Sequence, residues 1–190
     1  MLIQEGLQGG LALWWDSDTA IDILYADKNV IEARISINGG QIWLCSFIYE
    51  PLNREAKKNF WQMMTSRKKD SEVPWCVMGD SNIVIKQDEK LGGNLYDLEQ
   101  AKWLSEFIDT GELIEMPLKG GFFTWSNRRS EDDAILEKLD RVLVNHAWLE
   151  QFNRAEGFLE PAIGSDHGPI IWNTLGTYRR RKKDFKFEAK

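Results

Sequence analysis

The sequence has little of several features that mark common protein classes. Its 190 residues include only two cysteines and two histidines. Cys45 and Cys76 lie within apolar segments, so we expect free thiols in the core, and no Cys and His residues have the spacing of zinc ligands. No segment approaches the roughly twenty apolar residues of a membrane-spanning helix, and the first residues lack the basic segment and apolar run of a signal peptide. We therefore expect a nuclear or cytoplasmic protein that is not secreted.

Negative charge predominates over most of the chain. The net charge is −6, although the final stretch, Arg179–Lys190, carries seven basic and two acidic side chains. The preceding residues are therefore more acidic than the whole, so nucleic acid could bind only through a local basic groove or a bound cation. We expect one domain over residues 1–176, a length that suits a single core, and a basic linker or tail over residues 177–190.

Hydrophobic residues make up 43% of the chain and include nine tryptophans, enough for a packed core without disulfide bonds. The spacing of apolar residues predicts a helix from Asn53 to Lys69 with Asn53 as its N-cap. Asp97 and Gln100 form a capping box for a second helix, which ends at Gly111. A short helix is predicted over Asn145–Phe152.

Strands are predicted from apolar segments bounded by turn residues. In chain order they are Leu11–Trp15, Val30–Ile37, Gln41–Tyr49, Trp75–Gly79, Phe122–Trp125, Ala134–Val144 and Ile170–Leu175. The turn Asn38-Gly39-Gly40 predicts a hairpin between the second and the third. Because hairpins and helical connections are intermixed without strict βαβ alternation, the predicted class is α+β, a two-layer β-sandwich flanked by helices.

Polar side chains lie at the ends of two predicted strands. Asp80 and Asn82 directly follow the wholly apolar strand that ends at Gly79. An aspartate can hold a cation or a water and an asparagine can donate to a phosphate oxygen, which suits phosphodiester hydrolysis. Tyr49 ends another strand, and its hydroxyl could reach a phosphate. The alternatives are an ordinary Asx turn over residues 80–82 and a tyrosine at the rim of the core.

Asp140 and His167 form a second candidate group. Asp140 lies among strand residues that look half-buried, where a charge needs a partner such as an imidazole. His167 lies in the loop Ser165-Asp166-His167, and histidine is the side chain best suited to proton transfer near neutral pH. The alternatives are a surface aspartate beside Arg141 and a loop histidine with no catalytic role.

The segment Phe123–Asn127 adds a third candidate group. It contains Thr124, Trp125 and Asn127. Trp125 could stack on a base or a sugar, although burial in the core is the commoner use of a tryptophan.

The order of these motifs is more informative than any one of them. In chain order they read Tyr-x-Pro from Tyr49, Gly-Asp-x-Asn from Gly79, Phe-Thr-Trp from Phe123, Leu-Asp-Arg from Leu139 and Ser-Asp-His from Ser165. This series resembles the DNase I-like endonuclease/exonuclease/phosphatase family. More narrowly, the chain looks like the endonuclease domain of plant LINE-type non-LTR retrotransposons, on the segments Gly9–Trp15, Asp88–Gly93, Phe123–Asn127, Leu136–Asn145 with Trp148, and Phe185–Ala189.

The resemblance implies a four-layer α/β-sandwich, two packed mixed β-sheets flanked by helices, in which Mg²⁺ or Mn²⁺ and a His–Asp pair hydrolyse a phosphodiester or phosphomonoester. For the retrotransposon type the expected substrate is DNA. Carried over to this sequence, Asp80 would handle the attacking water or the leaving group, and Asn82 and Tyr49 would hold the phosphate. His167 would stabilise the charge of the phosphorane, with Asp140 orienting its ring.

The resemblance also implies ligands and partners. Asp166 and Asp80 would bind the metal, and Thr124, Trp125 and Asn127 would contact the DNA. A reverse transcriptase domain would follow in the parent element.

The sequence departs from the family pattern in three places. The family has an Asn at the end of its first strand and a metal-binding Glu at the end of its second, and neither has a counterpart here. We therefore expect a chain that lacks the first strands, binds Mg²⁺ weakly and is impaired as an enzyme, with a rate lowered roughly a thousandfold. The third departure is Ser81, where relatives carry Phe, which removes an apolar anchor beneath the loop of Asp80 and Asn82.

Two other functions are compatible with the sequence. The chain could be a non-catalytic nucleic-acid-binding remnant that uses the basic cluster Arg179–Lys183. It could also be a phosphatase of the same fold, because a fold does not determine its substrate.

Overall fold

A computed structural model of the chain describes residues 2–3, 10–37 and 39–176. The predicted basic linker or tail over residues 177–190 lies outside the described residues, as does Asn38 of the predicted hairpin turn. No helix of the described part is both long and apolar enough to cross a membrane.

The helices are α1 (Arg54–Ser66), α2 (Leu98–Thr110) and α3 (His146–Gln151). Each begins where the sequence predicts, because a polar side chain accepts hydrogen bonds from the free amides of the first turn. Asn53 accepts two such bonds in α1, and Asn145 accepts one in α3. Asp97 accepts two in α2, and the side chain of Gln100 donates to the same carboxylate. The predicted N-caps Asn53 and Asp97 are therefore confirmed.

Among the described residues, the longest strands lie between Thr19 and Tyr49, and the others are shorter. In order they are β1 (Leu2–Ile3), β2 (Ala12–Leu13), β3 (Thr19–Ala26), β4 (Val30–Ile37), β5 (Ile42–Tyr49), β6 (Trp75–Asp80), β7 (Lys90–Leu91), β8 (Ile114–Glu115), β9 (Leu118–Lys119), β10 (Trp125–Ser126), β11 (Leu136–Glu137), β12 (Asp140–Val144), β13 (Glu156–Leu159) and β14 (Ile170–Asn173).

One large mixed sheet organises the fold. Its six strands lie in the order β3-β4-β5-β6-β12-β8. β5 and β6 are parallel, and the other neighbouring pairs are antiparallel. The predicted hairpin between β4 and β5 is confirmed. β6 has neighbours on both sides, which explains its unbroken apolar sequence up to Met78. Three smaller sheets accompany it, in the orders β10-β11-β7, β14-β13-β9 and β1-β2.

Apolar clusters cover both faces of the six-stranded sheet. On one face, α1 and α2 pack on β6 through Trp61, Phe107 and Trp75. On the other face, Trp148 of α3 packs against Trp43 of β5, and residues of β14 lie against the same cluster. Mixed sheets thus pack against each other and against helices, as the predicted fold class requires. The two cysteines are buried free thiols, as predicted.

Several strand predictions are wrong or incomplete, and β10 shares only Trp125 with the strand predicted over Phe122–Trp125. The single strand predicted over Ala134–Val144 is two strands, β11 and β12, which belong to different sheets. The chain changes sheets at Lys138 and Leu139, where Glu89 and Thr124 accept their backbone amides in place of a neighbouring strand. The edge strand β3 was not predicted, although its alternating burial pattern is typical of a half-buried strand.

Candidate active site

Three strand ends meet at one edge of the six-stranded sheet. Tyr49 is the last residue of β5 and the register partner of Asp80, the last residue of β6. Asp80 is in turn opposite Asp140, the first residue of β12. The half-buried Tyr49 and the two carboxylates therefore become neighbours because of strand pairing alone.

His167 lies beside both carboxylates. Its Nδ1 is 2.8 Å from Oδ2 of Asp140, and its Nε2 is 4.0 Å from Oδ2 of Asp80. The hydrogen bond with Asp140 raises the pKa of His167 above its ordinary value, while partial burial opposes the rise. The ring remains about 30% exposed. An imidazole that is oriented by Asp140, and whose charged form Asp140 stabilises, is thus within reach of a ligand.

Asp80 occupies an unfavourable position for a negative charge. Burial, and after it the charge of Asp140, raises the pKa of Asp80 to about 6, whereas the backbone amide of Asn82 acts in the opposite direction. A carboxylate in this state gains from any positive charge brought beside it. Near neutral pH it can also take up or release a proton.

Asn82 holds both oxygens of Asp80. Its backbone amide donates to Oδ1 at 2.8 Å and its side-chain amide to Oδ2 at 2.9 Å. The bond to Oδ1 is the one expected of an Asx turn, so the local alternative and the catalytic arrangement coexist. The adjacent Ser81 is buried, and its hydroxyl donates to the carbonyl of Leu139 at 2.6 Å. A hydrogen bond therefore anchors this loop at the position where the sequence analysis expected a missing apolar anchor.

Thr124 is buried beside Asp140 and binds its backbone amide. Only 2% of Thr124 is exposed, and its hydroxyl accepts the backbone amides of Leu139 and Asp140 at 3.0 and 2.9 Å. The structure places Thr124 under the site rather than on its surface. Its hydrogen bonds fix the point where the chain enters β12.

Trp125 and Asp166 join the histidine loop to β10. Nε1 of Trp125 donates to Oδ2 of Asp166 at 2.9 Å. This bond lowers the pKa of the exposed Asp166 carboxylate. Trp125 also forms a β-bridge with His167, and Gly168 donates to the carbonyl of Thr124. The loop that carries His167 is therefore held along its length.

A polar groove of about 570 Å³ lies beside this loop. Its lining includes Asp166, Trp125 and the exposed side chains of Arg128 and Arg129. Asn127 shapes the groove from within, since its side chain accepts the amides of Arg129 and Ile135 and donates to a backbone carbonyl. The groove supplies local positive charge next to an otherwise acidic site.

The side chains of the site suit a hard divalent cation. Asp80 and Asp140 are adjacent carboxylates whose mutual repulsion helps to raise the pKa of Asp80, and such a pair is stabilised by a cation. Within the residues that the structure describes, no three or more His, Cys, Asp or Glu side chains are grouped to hold a metal. Mg²⁺ commonly takes one or two carboxylates together with water and substrate oxygens. The assignment of Asp80 and Asp166 as metal ligands stays a prediction.

Sequence reasoning missed a buried ion pair behind the site. Glu50 is fully buried, and its carboxylate lies 2.8 Å from Nζ of Lys57 and accepts from the indole of Trp61. Burial raises the pKa of Glu50 to about 7, although Lys57 opposes the rise. A signal was present, because Lys57 occupies the apolar face of α1 with Phe60, Trp61 and Met64.

Gly79, the residue before Asp80, allows β5 to approach β6 closely. Its φ is +134°, and a Cβ there would lie 2.1 Å from the carbonyl oxygen of Ile48. Gly79→Ala should therefore destabilise the fold by about 2–3 kcal/mol and lower activity. Urea denaturation with Gly39→Ala as the control measures this, since Gly39 also has a positive φ but open space around it. Equal losses in both variants would show that crowding at Gly79 is unimportant.

Comparisons with known proteins bear on the fold. No protein-family model and no curated protein sequence matches the chain. Solved structures do match. The endonuclease domain of TRAS1, a telomere-specific non-LTR retrotransposon, aligns with a TM-score of 0.61 at 15% identity over 84% of this chain and 70% of that one. The Xenopus laevis APE2 catalytic domain aligns with a TM-score of 0.54 at 16% identity over 76% of this chain, which spans 54% of that one. The chain therefore has the DNase I-like fold of the endonuclease/exonuclease/phosphatase proteins.

Proposed function

We propose that this chain is a Mg²⁺-dependent phosphodiester hydrolase domain that cuts DNA and derives from a LINE-type retroelement. The observation that carries the proposal is the 2.8 Å contact of His167 with Asp140 beside the loop of Asp80 and Asn82. The likeness in fold to a retrotransposon endonuclease domain supports it. A phosphatase of the same fold is the second candidate, since fold and metal chemistry leave the substrate open.

His167 and Asp140 divide the task of charge stabilisation. Asp140 fixes the orientation of the ring through Nδ1, which leaves Nε2 directed away from that carboxylate. In its protonated form the ring donates from Nε2 to a phosphate oxygen, and this interaction strengthens as negative charge develops on the phosphorane. Asp140 stabilises the imidazolium throughout.

Asp80 and Asn82 handle the reacting oxygens. Asp80 accepts a proton from the attacking water as the water oxygen bonds to phosphorus. The bond to the leaving oxygen breaks, and that oxygen takes a proton from solvent. Asn82 aligns that carboxylate and can turn its side-chain amide towards a phosphate oxygen. Tyr49 offers a hydroxyl at the same edge. A metal ion held by Asp80 or Asp166 would polarise a phosphate oxygen and neutralise charge when bound.

The groove beside the site supports DNA as the substrate. Arg128 and Arg129 are exposed there and can contact phosphates on either side of the cleaved bond. Trp125 and Asn127 lie in the same lining, where an aromatic ring can stack on a base or a sugar. Thr124 acts beneath the surface as a positioning residue.

The proposal is tested by incubating the chain with supercoiled plasmid and, separately, with a small phosphomonoester. Conversion of the plasmid to the nicked form without phosphomonoester turnover supports the DNA hydrolase. Phosphomonoester turnover alone selects the phosphatase. Salt-sensitive DNA binding without either reaction selects the non-catalytic remnant, whose basic cluster Arg179–Lys183 lies outside the described residues.

Nicking should depend on a divalent cation. We expect the rate to rise with Mg²⁺ or Mn²⁺ into the millimolar range. Few carboxylates would bind the metal, and a site with fewer carboxylate ligands binds the ion more weakly. Removal of the metal with EDTA should lower the rate to background, and an excess of Mg²⁺ should restore it. Undiminished nicking in EDTA would contradict the metal requirement.

Further parts of the proposal concern origin and context. The narrower resemblance points to a plant element with a reverse transcriptase domain downstream and to a nuclear or cytoplasmic location. The impaired activity and weak metal binding expected from the sequence stay predictions. The cation titration above addresses both.

A further inference from the structure

We propose that Lys57 is a positioning residue that sets the geometry of the Asp80–Asn82 loop from within the core. The test of this inference by DNA nicking rests on the proposed function, whereas the test by amide hydrogen exchange does not. Lys57 belongs to α1, which packs on the sheet behind the site.

The contacts of Lys57 converge on this loop. Its Nζ lies 2.9 Å from the backbone carbonyl of Asn82 and 2.8 Å from Oε2 of Glu50. Glu50 in turn donates its backbone amide to the carbonyl of Asp80 at 3.0 Å. One buried ammonium group therefore joins the helix, the end of β5 and the loop after β6.

The loop needs such a restraint because Asn82 is in a strained conformation. Its φ is +46°, in the left-handed region, which asparagine adopts more often than most residues with a Cβ but still at a cost. Strained residues of this kind persist only where their surroundings hold them. The bond from Lys57 to the carbonyl of Asn82 is such a hold, made from an element that is itself fixed by packing.

The position of Asn82 determines the orientation of the Asp80 carboxylate. Both carboxylate oxygens of Asp80 accept hydrogen bonds from Asn82, one from its backbone and one from its side chain. A shift of the Asn82 backbone therefore moves the carboxylate. Misplacement of a reacting group by about 1 Å can cost roughly a hundredfold in rate.

A double variant separates positioning from stability. Lys57→Met alone leaves Glu50 buried beside no cation and would be destabilising for that reason. Glu50→Gln combined with Lys57→Met removes both charges and keeps an oxygen to accept the indole of Trp61. The control is Lys69→Met, which removes another lysine from a buried glutamate, Glu32, on a remote part of the same sheet.

Single-turnover nicking and the melting temperature give the first readout. We expect the double variant to melt within a few degrees of the wild-type chain and to nick plasmid roughly ten to a hundred times more slowly. Lys69→Met should nick at the wild-type rate. A stable double variant with wild-type nicking would overturn the inference, because Lys57 would then serve only to neutralise Glu50.

Amide hydrogen exchange followed by NMR gives a readout that needs no activity. The amide of Asn82, bonded to Asp80, should exchange about tenfold faster in the double variant. The amide of Ser81, bonded to the carbonyl of Leu139, should be unchanged. If the wild-type chain does not nick DNA, the proposed function fails, and this exchange comparison alone decides the inference. Unchanged exchange at Asn82 would overturn it.

Discussion

Asp140→Asn should lower the rate of DNA nicking by roughly a thousandfold while the chain stays folded. The amide that replaces the carboxylate cannot stabilise an imidazolium, and it can hold the ring of His167 in the wrong tautomer. The substitution is nearly isosteric, and Thr124 would still accept the backbone amide at this position. Single-turnover assays with enzyme in excess over plasmid give the sensitivity needed for a slow enzyme.

Asp22→Asn is the matched control for this prediction. Asp22 lies on the edge strand β3, is largely exposed and has a neighbouring arginine at 3.6 Å. We expect it to nick at the wild-type rate with an unchanged denaturation midpoint. Retention of wild-type nicking by Asp140→Asn would mean that the His167–Asp140 contact has no catalytic role.

Glu89→Gln should produce the largest loss of stability, about 3 kcal/mol or more in the free energy of unfolding. Glu89 and Arg141 form an ion pair in which both side chains are 1% exposed. Without the charge of Glu89, the buried guanidinium keeps only Glu115 as an ionic partner among the described contacts. Removal of one member of a buried pair typically costs about 3–5 kcal/mol. Against a total of about 5–15 kcal/mol, urea denaturation should show the loss clearly.

Two further variants show whether the loss of stability in Glu89→Gln comes from the buried charge of Arg141 losing its partner. Glu99→Gln removes an acid from the exposed pair with Arg54, and its effect should be much smaller, because exposed pairs contribute little. Glu89→Leu with Arg141→Met removes both buried charges and should recover much of the stability lost in Glu89→Gln. If Glu89→Gln unfolds at the same urea concentration as the wild-type chain, the buried pair is not a stabilising feature.

Local signals in the sequence were sufficient for the helices. Asn53, Asp97 and Asn145 are caps whose action depends on the next three residues alone, so the beginnings of α1, α2 and α3 could be predicted. β4 and β5 were also predictable, because a turn between two apolar segments is a local feature. Prediction failed between Ala134 and Val144, where the chain changes sheets. That break depends on hydrogen bonds to Glu89 and Thr124, which are distant in sequence.

In the candidate site, too, local motifs could be predicted from the sequence, whereas contacts between distant segments could not. The motifs around Asp80, Asp140 and His167 could be identified from their order. Strand register places Asp80 opposite Asp140, and the side chain of His167 contacts Asp140. Their assigned roles stay predictions. The support beneath them was not foreseen, because the buried hydroxyl of Thr124 and the ammonium group of Lys57 act through backbone atoms of other segments. The sequence indicates such contacts only through a polar residue at a position that is otherwise apolar.

We propose above that the cluster of Asp80, Asp140 and His167 breaks phosphodiester bonds. The most direct measurement compares plasmid nicking by the wild-type chain and by His167→Ala, purified in parallel and assayed in Mn²⁺ with enzyme in excess. We expect slow nicking that scales with the concentration of the wild-type chain, and a rate at background for the variant. Equal nicking by both preparations, or none by either, would contradict it.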